Sequence, residues 1–234
     1  VIQHQLKVRF NINKINNLYY IINNFINLKI GKTKMIKKLA IGFIVLLSGC
    51  AVFDGGNVPH ATLSPANNDI QKPTLSYSST SFSGLETVDK SPEATQTIIE
   101  EELISQLEES HYFNNISKQD DTADITLDVK LTNTGNPAAM VPAFITGLSL
   151  YTIPSWATDN FDLVVTAKRK DGLEKEYVLA DSTTIVQWLP MIVVFPFKNF
   201  SVVPDVRKNM YRKVLSDMKN DGFFDDSTYI TQAQ

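Results

Sequence analysis

The chain has 234 residues, 43% of them hydrophobic, with one cysteine, two tryptophans and a formal net charge of −3. Eight of its 22 Lys/Arg and none of its 25 Asp/Glu precede position 50, so residues 50–234 carry 14 basic and 25 acidic groups, net −11. That balance excludes nucleic acid and anionic membrane surfaces as electrostatic partners. A single cysteine excludes an intramolecular disulfide, so stability rests on packing.

Residues 1–34 are almost entirely Asn, Ile, Lys, Leu and Tyr, with no acid and no methionine. This vocabulary is expected of a translated AT-rich leader and is set aside from the fold. Residues 35–49 have the layout of a secretory signal: Met35-Ile36-Lys37-Lys38 is a positive start, and Leu39–Leu47 is an apolar run too short to span a bilayer. The segment ends in Leu46-Leu47-Ser48-Gly49-Cys50. This run resembles a lipobox, and the whole segment resembles a bacterial lipoprotein signal peptide. The resemblance implies cleavage between Gly49 and Cys50 and a diacylglyceryl thioether on Cys50. A thiol suits that chemistry because its thiolate is strongly nucleophilic. Ala51 follows, where Asp would resemble the inner-membrane retention signal of enteric bacteria. The resemblance therefore implies an outer-membrane address, with the remaining chain facing the periplasm.

Residues 50–83 are rich in Pro, Ser, Thr, Asn and Gly and are expected to form a flexible tether behind the lipidated cysteine. Within them Thr74–Ser78 alternates enough for a strand, and His60 is expected to be solvated. Residues 84–234 are expected to be the folded domain. Ser91-Pro92-Glu93-Ala94 predicts a helix start with Ser91 as N-cap and Pro92 at the first helical position. Ile99, Leu103 and Leu107 mark its apolar stripe, with Glu100, Glu101, Glu102, Glu108 and Glu109 on a solvated face rather than at a metal site. Ala123–Leu131 alternates strictly, predicting a strand with Ile125, Leu127, Val129 and Leu131 inward. A hairpin is predicted from Phe161–Lys168, a Lys170-Asp171-Gly172 turn and Glu174–Ala180.

Pro204-Asp205 is expected to open a second amphipathic helix carrying Val206, Met210, Val214 and Met218, closed by Asp221-Gly222. Leu103–Phe113 and Val214–Phe224 echo one another, each helix ending in a turn and an aromatic pair, as two helices docked side by side would. His111 falls in the first of those turns, where a capping or packing role is expected.

Two segments carry no charge: 137–157 and 182–197. Their prolines argue against regular strands or unbroken helices, so both are expected to be apolar loop insertions. They either cover the sheet or form a flap in which Tyr151, Trp156, Trp188, Leu189 and Phe195 touch membrane or partner. The elements add up to an α+β fold: an antiparallel sheet of three or four strands with two amphipathic helices on one face. Their order resembles small periplasmic modules of Gram-negative envelope lipoproteins and assembly factors. Gly147-Leu148-Ser149-Leu150, Ile153-Pro154, Asp171-Gly172 and Trp188-Leu189-Pro190 resemble a group of proteobacterial lipoproteins whose common motifs are structural.

No HExxH, Gly-rich phosphate loop or Gly-x-Ser-x-Gly elbow occurs. The expectation is a non-catalytic lipoprotein without cofactor or metal. It would bind the membrane through its anchor and an envelope protein as adaptor or assembly and transport accessory. The alternatives are a hydrolase using carboxylates only, and a lipoprotein that inserts or oligomerises through its apolar segments.

Overall fold

A computed structural model describes residues 50–65, 72–191 and 201–224. The strands are β1 (Cys50–Asp54), β2 (Thr74–Gly84), β3 (Asp89–Lys90), β4 (Asn115–Lys118), β5 (Ile125–Gly135), β6 (Ser155–Arg169) and β7 (Glu174–Gln187). The helices are α1 (Glu93–Ser110), α2 (Met140–Leu148) and α3 (Val202–Asn220), with a single 3-10 turn at Pro137–Ala139 before α2.

These strands form one seven-stranded mixed sheet in the order β1-β7-β6-β5-β2-β3, with β4 also on β2. The expected antiparallel sheet of three or four strands is therefore wrong in size and in direction. β1, β3 and β4 have no counterpart in the expectation, and β2 runs past the expected Thr74–Ser78 strand to Gly84. Its Ser/Thr-rich second half reads as tether, yet Leu75–Gly84 pairs in parallel with Ile125–Thr134. Parallel pairing follows from the crossover: after β2 the chain returns through α1 to the starting end before entering β5. The hydroxyls that suggest a solvated linker are used inside the sheet. Ser78 Oγ donates to Asp128 (2.7 Å), and buried Ser76 accepts from the Asp120 amide (2.8 Å).

The expected tether over 50–83 is corrected at its start as well. Cys50–Asp54 pairs antiparallel with Thr183–Gln187 at the sheet edge. Buried Asp181 then accepts from the amides of Asn57 and Val58, both at 3.2 Å. Asn209 of α3 accepts from Ala61 N (2.9 Å) and donates to Val58 O (3.1 Å). Backbone groups of a linker were thus matched by two side chains distant in sequence.

The β6–β7 hairpin forms where predicted and extends further on both arms, from Ser155↔Gln187 to Lys168↔Glu174. On one face α1 and α3 cover the sheet. Ile99, Leu103, Leu107, Met210, Val214 and Met218 meet Ile125, Leu127, Val129 and Leu131 of β5 and Phe161, Leu163 and Val165 of β6. Burying each such side chain contributes about 1.5–3 kcal/mol. The opposite face carries Asp128, Lys130, Lys168 and Glu174, with ion pairs at 3.1 and 2.9 Å.

Both long helices end as their echo implies. His111 caps α1 in the left-handed region (φ 55°), its amide bonded to Glu108 O. At α3, Gly222 (φ 80°) donates to Lys219 O and Phe223 to Met218 O, the paired bonds of a Schellman close. Phe224 then packs tilted on Tyr112 (4.9 Å) and edge-to-face on Phe113 (5.5 Å). With Arg207 on Glu102 and Arg212 on Glu109, these contacts make the two helices neighbours running in the same direction.

Two start signals differ. Ser91 makes no side-chain cap: its amide bonds Ser81 O and its hydroxyl bonds Ser83 Oγ, so it belongs to the sheet side and Pro92 is the N-cap. The second helix begins at Val202, before Pro204, because a first-turn amide has no intrahelical partner to lose.

Candidate functional site

One end of the sheet collects the C-termini of β2, β5 and β7 and the N-termini of β1 and β6. Its last rung on one side is Cys50–Gln187–Ser155, with the Ser155 hydroxyl donating to Gln187 Oε1 at 3.3 Å. Neighbouring strands lie about 4.8 Å apart, so Cys50 is about 10 Å from the residue at which α2 and its loop rejoin the sheet. Cys50 is half-buried, and burial pushes its thiol above the ordinary value.

The first uncharged segment enters this end as a helix, not as the expected loop. Asn136 Oδ1 accepts from the Ala138 amide (2.9 Å) and starts the 3-10 turn that leads into α2. Pro142 is tolerated because it sits in the first turn, where its missing amide has no partner. The polarity of α2 is inverted. Met140, Val141, Phe144, Ile145 and Leu148, at spacing i, i+1, i+4, i+5, i+8, lie on one arc, and each is 44–70% exposed. The residue turned inward is Thr146, fully buried, its hydroxyl donating to Pro142 O.

Leu150 and Tyr151 follow with left-handed φ of 52° and 63°. That bend lets Tyr151 O accept from Leu189 N at 2.8 Å, tying the chain after α2 to the chain after β7. The second uncharged segment is likewise not a loop at its start. Ser182–Gln187 completes β7 between β1 and β6, where Thr183, Thr184, Ile185 and Val186 suit a strand with neighbours on both edges.

Of the residues singled out from sequence, the structure brings Cys50, Tyr151, Trp156, Trp188 and Leu189 to this one end. Trp156 opposes Val186, which opposes Ala51, on the face away from the long helices. Trp156 is 66% and Trp188 38% exposed, while Tyr151 and Leu189 are half-buried. Gly49 and Phe195 lie outside the described residues. Sequence reasoning missed Phe144 and Leu148 as surface groups. Their spacing was visible, but a helix stripe of that kind ordinarily faces a core.

The charged candidates are taken up elsewhere. Glu100 pairs with Lys118 at 2.7 Å, Glu102 with Arg207 at 2.7 Å and Glu109 with Arg212 at 3.1 Å. Among the described residues no three His, Cys, Asp or Glu side chains are grouped to hold a metal. Tyr77 donates to Glu100 (3.0 Å), and burial together with that carboxylate pushes its pKa up to about 12. Tyr177 donates to Asp221 (2.8 Å) and is raised in the same way, by burial first. Each phenol is locked as a donor to a carboxylate that a Lys also holds.

No protein-family model and no curated protein matches the sequence. Solved structures give distant likenesses. One is rare lipoprotein B from Shewanella oneidensis: 8% identity, TM-score 0.39, covering 64% of this chain and 96% of that one. Another is a PelC dodecamer from Paraburkholderia phytofirmans: 14% identity, TM-score 0.28, covering 71% and 95%. Neither likeness is close enough to decide fold family or function.

Proposed function

We propose that this protein is a non-catalytic lipoprotein of the bacterial envelope, held in the outer membrane by a diacylglyceryl thioether on Cys50, with its folded part in the periplasm as an adaptor or assembly accessory. The observation that carries the reading is the position of Cys50. It closes the Leu46-Leu47-Ser48-Gly49-Cys50 run and is held in the sheet opposite Gln187.

Three further features support the reading. Most of the exposed apolar residues, among them Met140, Phe144, Leu148, Trp156 and Trp188, gather at the Cys50 end of the sheet. No described helix is long and apolar enough to cross a membrane. Glu100, Glu102 and Glu109 of α1 are held in ion pairs by Lys118, Arg207 and Arg212.

Metabolic labelling with a palmitate analogue is the test. Wild type takes the label and Cys50→Ser does not; equal labelling of the two would refute the reading. Sucrose-gradient fractionation checks the address, since co-migration with inner-membrane markers contradicts an outer-membrane site. Affinity capture from detergent-solubilised envelopes addresses the adaptor role, with a stoichiometric protein partner as the expected product.

A further inference from the structure

We infer that the exposed face of α2, together with Trp156 and Trp188, lies in the lipid bilayer beside the anchor and fixes the domain's orientation on the membrane. This rests on the lipid anchor at Cys50 and adds a second, non-covalent contact that the anchor does not require.

Cys50 is not the free end of a linker: it is hydrogen-bonded sheet, in register with Gln187. Acyl chains on its sulfur enter the bilayer with no slack between them and the fold. The membrane surface therefore meets the molecule at this end of the sheet, and α2 rejoins the sheet about 10 Å away, at Ser155.

What α2 presents there is lipid-like. Met140, Val141, Phe144, Ile145 and Leu148 form one outward arc, and the segment 137–157 has no charged side chain. A helix on a water-facing surface carries its polar side outward; α2 does the reverse. Trp156 stands on β6, the strand that α2 packs against, one residue after the chain rejoins the sheet, and Trp188 directly follows the last rung. Partly exposed tryptophans are typical of a membrane–water interface.

Charge selects the kind of contact. Interfacial helices commonly add Lys/Arg that attract anionic lipids, but α2 has none and residues 50–234 carry net −11. The contact is thus apolar, indifferent to anionic lipid and to salt. The diacylglyceryl group already supplies two acyl chains, enough for stable anchoring; the apolar face of α2 adds orientation rather than attachment. A second copy of the chain is the competing occupant. It would leave the bilayer, brought to the same end by the anchor, facing an already covered patch.

The two tryptophans are the chain's own probes. The full chain, expressed and acylated in its host, is reconstituted into phosphatidylcholine vesicles with brominated acyl chains. Tryptophan emission should be strongly quenched relative to unbrominated vesicles, and unchanged by high salt or added phosphatidylglycerol. Phe144→Glu/Leu148→Glu should lose most of the quenching while keeping the palmitate label and the melting temperature. Labelled wild type with unquenched tryptophans overturns this inference and leaves the anchor standing. If those tryptophans are also shielded from aqueous acrylamide and the protein cross-links to itself, the patch belongs to a second copy. Absence of the label instead refutes the anchor, and the bilayer contact with it.

Discussion

At the scale of single residues, two buried polar side chains decide where the chain after β1 goes. Asp181 accepts from Asn57 N, Val58 N and Ser182 N, and Asn209 bonds Ala61 N, Val58 O and Pro59 O. A buried donor stranded by losing its partner costs about 1–3 kcal/mol. Asp181→Ala is expected to lower stability by at least about 1–3 kcal/mol in denaturant unfolding, with faster hydrogen exchange at the Asn57 and Val58 amides. Unchanged exchange there would mean that strand pairing alone holds the segment. Glu100 supplies a pH dependence. The Lys118 ammonium bonded to it, then the Tyr77 hydroxyl, hold its carboxyl below the ordinary 4.5 against the opposing effect of burial. A depressed carboxylate contributes stability above its unfolded pKa and loses it as pH falls through the folded value. Wild-type stability should therefore fall more steeply below about pH 4.5 than that of Glu100→Gln, in urea titrations repeated at each pH. Parallel curves would remove Glu100 from the acid response. Neither role was legible in sequence. Glu100 is one of six acids on α1, and Asp181 sits in a run whose neighbours are ordinary strand residues.

At the scale of elements, the pairing of α1 and α3 has two unequal fasteners. Arg207 grips Glu102 bidentately at 2.7 Å, both side chains only 11% exposed, whereas Arg212 and Glu109 are 34% and 55% exposed. Exposed pairs are worth about 0–1 kcal/mol, and breaking a buried pair by removing one partner costs about 3–5 kcal/mol because the other charge is stranded. A double-mutant cycle should give a clearly larger coupling for Glu102/Arg207 than for Glu109/Arg212, with Arg207→Ala alone the most damaging single change. Equal couplings would make both pairs surface ornaments. The helix echo in the sequence did foretell two docked helices, because heptad-like spacing and a shared turn-plus-aromatic ending are local signals. α2 was not legible. Its prolines read as breakers, and only the structure puts Pro142 in the first turn and turns the apolar arc outward. Trp156, at 66% exposure, follows the same logic. Trp156→Ala should leave the melting temperature nearly unchanged, where a truncated core tryptophan would cost about 3–5 kcal/mol.

At the scale of the whole molecule, the sheet's order sets its stability gradient. β5 and β6 lie inside with partners on both edges, while β1, β3 and β4 are short and peripheral. Native-state hydrogen exchange should find the slowest amides in Ile125–Gly135 and Ser155–Arg169 and the fastest strand amides in β3 and β4. Maximal protection in β1 would contradict that gradient. The sequence by itself determined the elements whose signal is periodic: α1, α3, the β6–β7 hairpin and β5, each with its inward residues. It also marked Cys50 and the two uncharged segments as the unusual parts of the chain. These are properties of neighbours in sequence, where a period of two or of 3.6 exposes which side chains share a face. Only the tertiary structure decided that 50–54 is a strand, that the strand begun at Thr74–Ser78 continues to Gly84, that the sheet is mixed and seven-stranded, and that α2 turns its apolar side outward. The reason is physical. A Ser/Thr-rich strand is stabilised by partners on both edges that lie far away in sequence, and the direction an amphipathic face points is settled by what packs behind it.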